Sequence, residues 1–122
     1  MVDRQVSKPA KSIRTDALNV TLTSNNRIEI ESVAGQKITI EGDAGGVLIQ
    51  DDSGDSIQLQ RGSILISASA KISLKCSEIE IDASILTVNA GMAKFSGVVQ
   101  TDTLVANSVV ASSYTPGAGN IS

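Results

Sequence analysis

One pattern runs through the middle of this chain. Two large aliphatic residues flank one polar or small residue, and the unit returns every seven to ten residues: Val20/Leu22, Ile28/Ile30, Ile38/Ile40, Val47/Ile49, Ile57/Leu59, Ile64/Ile66, Ile72/Leu74, Ile79/Ile81 and Leu86/Val88. Residues two apart share one face of a strand, so each pair marks a short strand with a single apolar face. The residues between, such as Glu29, Thr39, Gln58, Ser73 and Glu80, belong to the other face. Turn formers separate the pairs: Ser24-Asn25-Asn26, Ala34-Gly35, Asp43 to Gly46, Asp52 to Asp55, and Arg61-Gly62-Ser63. The pattern predicts nine short strands, repeated as in a solenoid.

Composition limits what such a repeat can become. The 122 residues include one Phe (Phe95), one Tyr (Tyr114), no Trp, no His and one Cys. Without aromatics the core must be aliphatic, thin and regular. Without His there is no imidazole base or imidazole metal ligand. A lone Cys makes no intrachain disulfide, CxxC redox pair or zinc knuckle. From Ile57 to Val88 the whole repeat, turn included, is seven or eight residues. That leaves strands too short for a two-sheet sandwich. One chain with one apolar pair per short rung cannot close its own column, whereas three chains wound together can, and winding also pairs the strand edges. The expected fold is therefore all-β: an intertwined three-stranded β-helix, or trimeric β-prism shaft, with a small tapered C-terminal apex. Nine rungs at roughly 4.8 Å give a shaft on the order of 45 Å long.

Charge divides the chain into three. Residues 1–15 carry Arg4, Lys8, Lys11 and Arg14 against Asp3, residues 16–102 are acidic, and Thr103 to Ser122 carry no charge. The reading is an N-terminal arm or docking segment over 1–27, a shaft over 28–90 and an apex over 91–122. The net charge of −3 and the two aromatics argue against nucleic-acid binding. The N-terminus has no apolar run of a secretory signal, and no stretch has the length and apolarity of a transmembrane helix.

No catalytic, cofactor or metal site can be assembled from these residues. Asp51-Asp52-Ser53-Gly54-Asp55 is the most site-like cluster, but it fits neither an EF-hand loop nor the nonapeptide calcium repeat, and reads as a solvated turn. Glu80 and Asp82 read as surface charges, and Cys76 as a small filler with nothing to activate it. No small-molecule substrate is expected, and the chain is not expected to be an enzyme.

Three stretches carry a resemblance: VLIQDDSGDSIQLQ (47–60), GSILISASAKISLK (62–75) and IEID (79–82). They resemble the β-helical needle of contractile-tail central spikes, the gpV-like phage baseplate spike proteins, together with R-type pyocin spikes and the VgrG needle of type VI secretion. Their shafts run D-x-x-G-N/D-S-I-x-L, then G-I-x-I-x-A-S-G-K-I-x-L-K-A, then I-E-I. The likeness covers roughly 28–90, and LVANSVVASSYTPGAGNI (104–121) is similar to a spike apex.

The resemblance implies a homotrimeric, membrane-piercing virion structural protein at the distal centre of a tail baseplate. It would be made in the host cytoplasm, seated on a hub protein by its N-terminal end, and driven through the host outer membrane on sheath contraction. The trimer core would be Ile57, Leu59, Ile64, Ile66, Ile72, Leu74, Ile79 and Ile81. The tip would be Leu104, Val105, Val109, Val110, Tyr114 and Pro116. The alternatives are a trimeric receptor-binding fibre or adhesin segment, and the needle of a type VI-like secretion system. Two features depart from the family. An OB-like seating domain has no room in 122 residues, so the expectation is a minimal spike or a fragment of a longer chain. The iron-binding His-x-His of several spike tips has no counterpart in a sequence without His.

Overall fold

A computed structural model of the chain describes residues 11–115. Among them are seven strands and no helix: β1 (Lys11–Arg14), β2 (Leu18–Leu22), β3 (Arg27–Ser32), β4 (Lys37–Glu41), β5 (Gly46–Gln50), β6 (Ser56–Gln60) and β7 (Ser63–Ser67). They form one antiparallel meander in chain order. The fold is all-β, as expected. The chain divides into two compact units, Met1–Ile79 and Glu80–Ser122, and the sheet belongs to the first.

Each of the five hairpins from β2 to β7 reverses through one left-handed residue: Asn26, Gly35, Gly45, Gly54 or Gly62. The commonest tight hairpin turns use such a residue, and Gly supplies it without a Cβ clash, whereas the β1–β2 reversal through Thr15-Asp16-Ala17 has none. The turn formers read from the sequence are the five left-handed reversals.

Six of the nine aliphatic pairs lie on β2 to β7, in one register. Val20 faces Ile30, Ile30 faces Ile38, Ile38 faces Ile49, Ile49 faces Ile57 and Ile57 faces Ile66. The second row runs from Leu22 through Ile28, Ile40, Val47 and Leu59 to Ile64. Ile13 extends the first row onto β1. The three remaining pairs, Ile72/Leu74, Ile79/Ile81 and Leu86/Val88, form no strand within the chain. Alternation alone does not make a strand; a backbone partner is also needed, and the chain offers none there.

The predicted boundary at residue 27 falls inside the meander. β1 and β2 precede it, and β2 pairs with β3 along five residues without a break. Arg4 and Lys8 of the basic arm lie outside the described residues, while Lys11 and Arg14 are on β1.

Candidate assembly surface and tip

The sheet has two faces of opposite character. One carries the aliphatic rows. The other carries Arg27, Glu29, Glu31, Lys37, Thr39, Glu41, Gln50 and Gln58. No apolar side chain is buried among the described residues, and the one buried residue is Thr39, 4% exposed, on the polar face. Its cross-strand neighbours are Glu29 and Leu48. Long charged side chains line the groove around it. Arg27 Nε lies 3.0 Å from Glu29 and 2.8 Å from Glu41, and Lys37 Nζ lies 3.8 Å from Glu29. Arg27 Nε meets both carboxylates as an ion pair, without the alignment of a hydrogen bond. The amphipathic stems of these residues cover Thr39. On the aliphatic face nothing does the same: Ile40, Ile49, Ile57 and Leu59 each keep about two fifths of their surface exposed, and Ile64 and Ile66 more than half. Contiguous apolar surface of this kind marks an interaction face.

Turn-to-turn contacts hold the sheet where a core would otherwise do so. At one end, the Val33 N–H donates to Ala17 O at 3.1 Å, and Gly35 packs against Asp52. At the other, Gly42 N–H donates to Asn26 O at 2.9 Å, Asn26 Nδ2 donates to Asp43 at 3.3 Å, and Gly45 sits under the Arg61 guanidinium. The first column ends on Ser69, just past β7, whose N–H and hydroxyl both donate to Asp55 Oδ1.

The acidic cluster is accounted for by these bonds. Asp51 Oδ1 accepts the N–H groups of Ser53 at 2.9 Å and Asp55 at 3.0 Å, and Asp51 N–H donates to Asp55 O. The N–H of Asp55, then that of Ser53, holds the Asp51 carboxyl below its ordinary value. This is an Asx-type turn. Among the described residues, no three His, Cys, Asp or Glu side chains cluster to hold a metal. Cys76 is free and exposed, its Sγ 3.2 Å from Glu78 O.

Beyond β7 the chain changes character. From Ala68 to Thr115 no backbone N–H bonds to a backbone carbonyl of the same chain, and no residue is left-handed. The direction still changes at regular places: Ala70, Ser77, Ser84 and Gly91, seven apart, then Gly97, Asp102, Asn107 and Ser112, the last three intervals being five. No backbone hydrogen bond joins the spans on either side of these bends, so they are corners and not hairpin reversals. The second residue after each bend is Ile72, Ile79, Leu86, Ala93, Val99, Leu104, Val109 or Tyr114. In the three seven-residue spans and the six-residue span after Gly91 a second large apolar residue follows at the fourth place: Leu74, Ile81, Val88 and Phe95. In the three five-residue spans that place holds Thr101, Ala106 and Ala111.

The eight proposed core residues thus fall into two groups. Ile57 is opposite Ile66 and Leu59 opposite Ile64, all on the open face, and Ile72 lines the same groove as Ile57 and Ile66. Leu74, Ile79 and Ile81 lie exposed in the unpaired stretch. The tip residues Leu104, Val105, Val109, Val110 and Tyr114 are all exposed, and Pro116 lies outside the described residues. Sequence reasoning missed Leu65, an exposed apolar residue on the polar side of β7, and the Asp55–Ser69 link. Leu65 could have been found as the middle of the run Ile64-Leu65-Ile66, which breaks the alternation. Among the described residues, no helix is long and apolar enough to cross a membrane. No protein-family model matches the chain, and no curated protein matches it.

Proposed function

We propose that this chain is one third of a homotrimeric central spike, a structural and non-enzymatic part that pierces a cell envelope at the tip of a contractile tail. The observation that carries the reading is the open aliphatic face: two continuous rows of Val, Leu and Ile across the sheet, with the only buried side chain among the described residues on the opposite, polar face. Full burial of one such side chain contributes roughly 1.5–3 kcal/mol, so a chain that leaves them open forgoes most of its driving force for folding. Three copies placing these faces on a common axis supply the missing core.

The stretch from Ala68 to Thr115 supports the same reading. Ordering one residue costs about 1–2 kcal/mol of backbone entropy. A long segment with no internal backbone bonds and no buried side chain cannot recover that cost alone. Winding with two other copies gives its N–H and C=O groups partners and its bend-registered aliphatics a column. Each corner then carries a chain from one side of the column to the next. The shortening from seven to five residues per span, with the second apolar place reduced to Thr101, Ala106 and Ala111, makes that column narrower toward the tip. Rigidity is the mechanism: paired backbone and a filled axis transmit the contraction stroke without bending. The hub protein seats the N-terminal end, and the host outer membrane meets the apex of the assembled virion.

Light scattering on the purified chain tests the assembly. A molar mass about three times 12.6 kDa is expected, and a folded, stable monomer overturns the reading. Envelope piercing is tested with assembled particles: the spike located at the baseplate tip by antibody labelling, and loss of host-membrane permeabilisation when its gene is deleted.

A further inference from the structure

We propose that Val105 and Val110 form a belt on the outside of the tip that contacts lipid hydrocarbon. The inference rests on the trimeric piercing reading above and adds the surface that meets the bilayer. The bend register makes successive spans comparable place by place. The third residue after each bend is Ser73, Glu80, Thr87, Lys94 and Gln100, then Val105 and Val110, then Thr115. Polar or charged residues hold this place five times in succession, at the next two spans it is aliphatic, and at Thr115 it is polar again, so the aliphatic levels form a band two spans tall. Exposure separates this place from its neighbour. Leu104 and Val109, at the second place, are 70% and 62% exposed, whereas Val105 and Val110 are 92% and 97% exposed. Leu104 and Val109 face the axis of the trimer, and Val105 and Val110 face away from it. Outward valines at two successive levels, repeated by the three chains, make a contiguous apolar surface, and contiguous apolar surface marks an interaction site.

The occupant follows from charge and symmetry. No residue from Thr103 to Ser122 is charged, so nothing at this level has to be dragged into hydrocarbon at about 2.5–3.5 kcal/mol per charge. In the trimer the two valines repeat around the axis at two successive levels. An apolar ring of this kind fits a medium that surrounds the tip on all sides. A protein partner docking from one side would bring aromatic and arginine anchors, and the outward places here offer none to pair with.

The test is flotation of the purified full chain with phosphatidylcholine vesicles, beside vesicles of phosphatidylethanolamine and phosphatidylglycerol. The wild type is expected to float with both. The double variant Val105→Ser/Val110→Ser is expected to lose binding by roughly tenfold or more at unchanged molar mass, and Val105→Ile/Val110→Ile to keep it. Val110→Ser alone, expected at an intermediate level, serves if the double variant fails to assemble. A wild type that ignores vesicles, binding confined to anionic vesicles, or serine variants that float like the wild type would each overturn the belt. Molar mass is read independently: a trimer that ignores lipid refutes the belt alone, and a monomer refutes the assembly on which it rests.

Discussion

The Asp55 carboxylate accepts two hydrogen bonds from Ser69, from its backbone N–H at 2.8 Å and from its hydroxyl at 3.1 Å. The pair joins the β5–β6 turn to the first residues beyond β7, where the chain stops pairing with itself. Asp55 is itself held by the Asp51 turn. A hydrogen bond to a charged group is worth about 1.5–3 kcal/mol, less where exposed as here. Asp55→Ala should therefore lower stability by about 1–2 kcal/mol and speed tryptic cleavage after Lys71 and Lys75, while Asp55→Asn, which keeps an acceptor oxygen, should stay close to wild type. Cleavage sites read by mass spectrometry check this.

Gly35 has φ +97°, and a Cβ there would come 2.7 Å from Asp52 Cβ, whereas Gly54 has φ +92° with nothing near it. Both alanine variants carry the left-handed penalty of about 1–2 kcal/mol. Only Gly35→Ala must also push two turns apart. Its denaturation midpoint should fall below that of Gly54→Ala, and equal midpoints would mean that the turn column is not closely packed.

Asp51 is pushed below its ordinary value of 3.8 by the N–H groups it accepts. A carboxylate depressed in the folded state contributes stability that is complete above the unfolded value and is lost as pH falls through the folded one. Stability should thus be level from neutrality down to about pH 5, decline below about pH 4, and in Asp51→Asn lose that part of the acid dependence. Urea titrations across this range measure it.

Ile72→Asp should abolish assembly, because three carboxylates would meet on one axis without partners. Thr87→Asp, at an outward place, should leave the molar mass unchanged. Soluble full-length trimer recovered from Ile72→Asp would remove that residue from the core.

Glu29 serves two cations on the polar face, Arg27 and Lys37. These groups are partly exposed, so Glu29→Gln should cost no more than about 1 kcal/mol and less in high salt, as a denaturation series at two ionic strengths would register.

Much of this was legible in the residues. Ile57, Leu59, Ile64 and Ile66 announced a shared face by spacing alone, because side chains alternate strictly along a strand. Asn26, Gly35 and Gly62 announced reversals, because few other residues accept positive φ. The sequence by itself therefore determined the all-β class, the positions of the five turns between β2 and β7 and which residues of those strands form the apolar face. It could not determine which pairs would become strands within one chain. Ile64/Ile66 and Ile72/Leu74 have the same pattern, yet only the first lies on a strand, because β6 is there to receive its backbone bonds. Tertiary structure alone decided that β1 joins the sheet, that Asp55 reaches Ser69, and that Val105 and Val110 stand further out than Leu104 and Val109. Each of these depends on which groups lie near one another in space after the turns are made, a distance that local spacing along the chain does not encode.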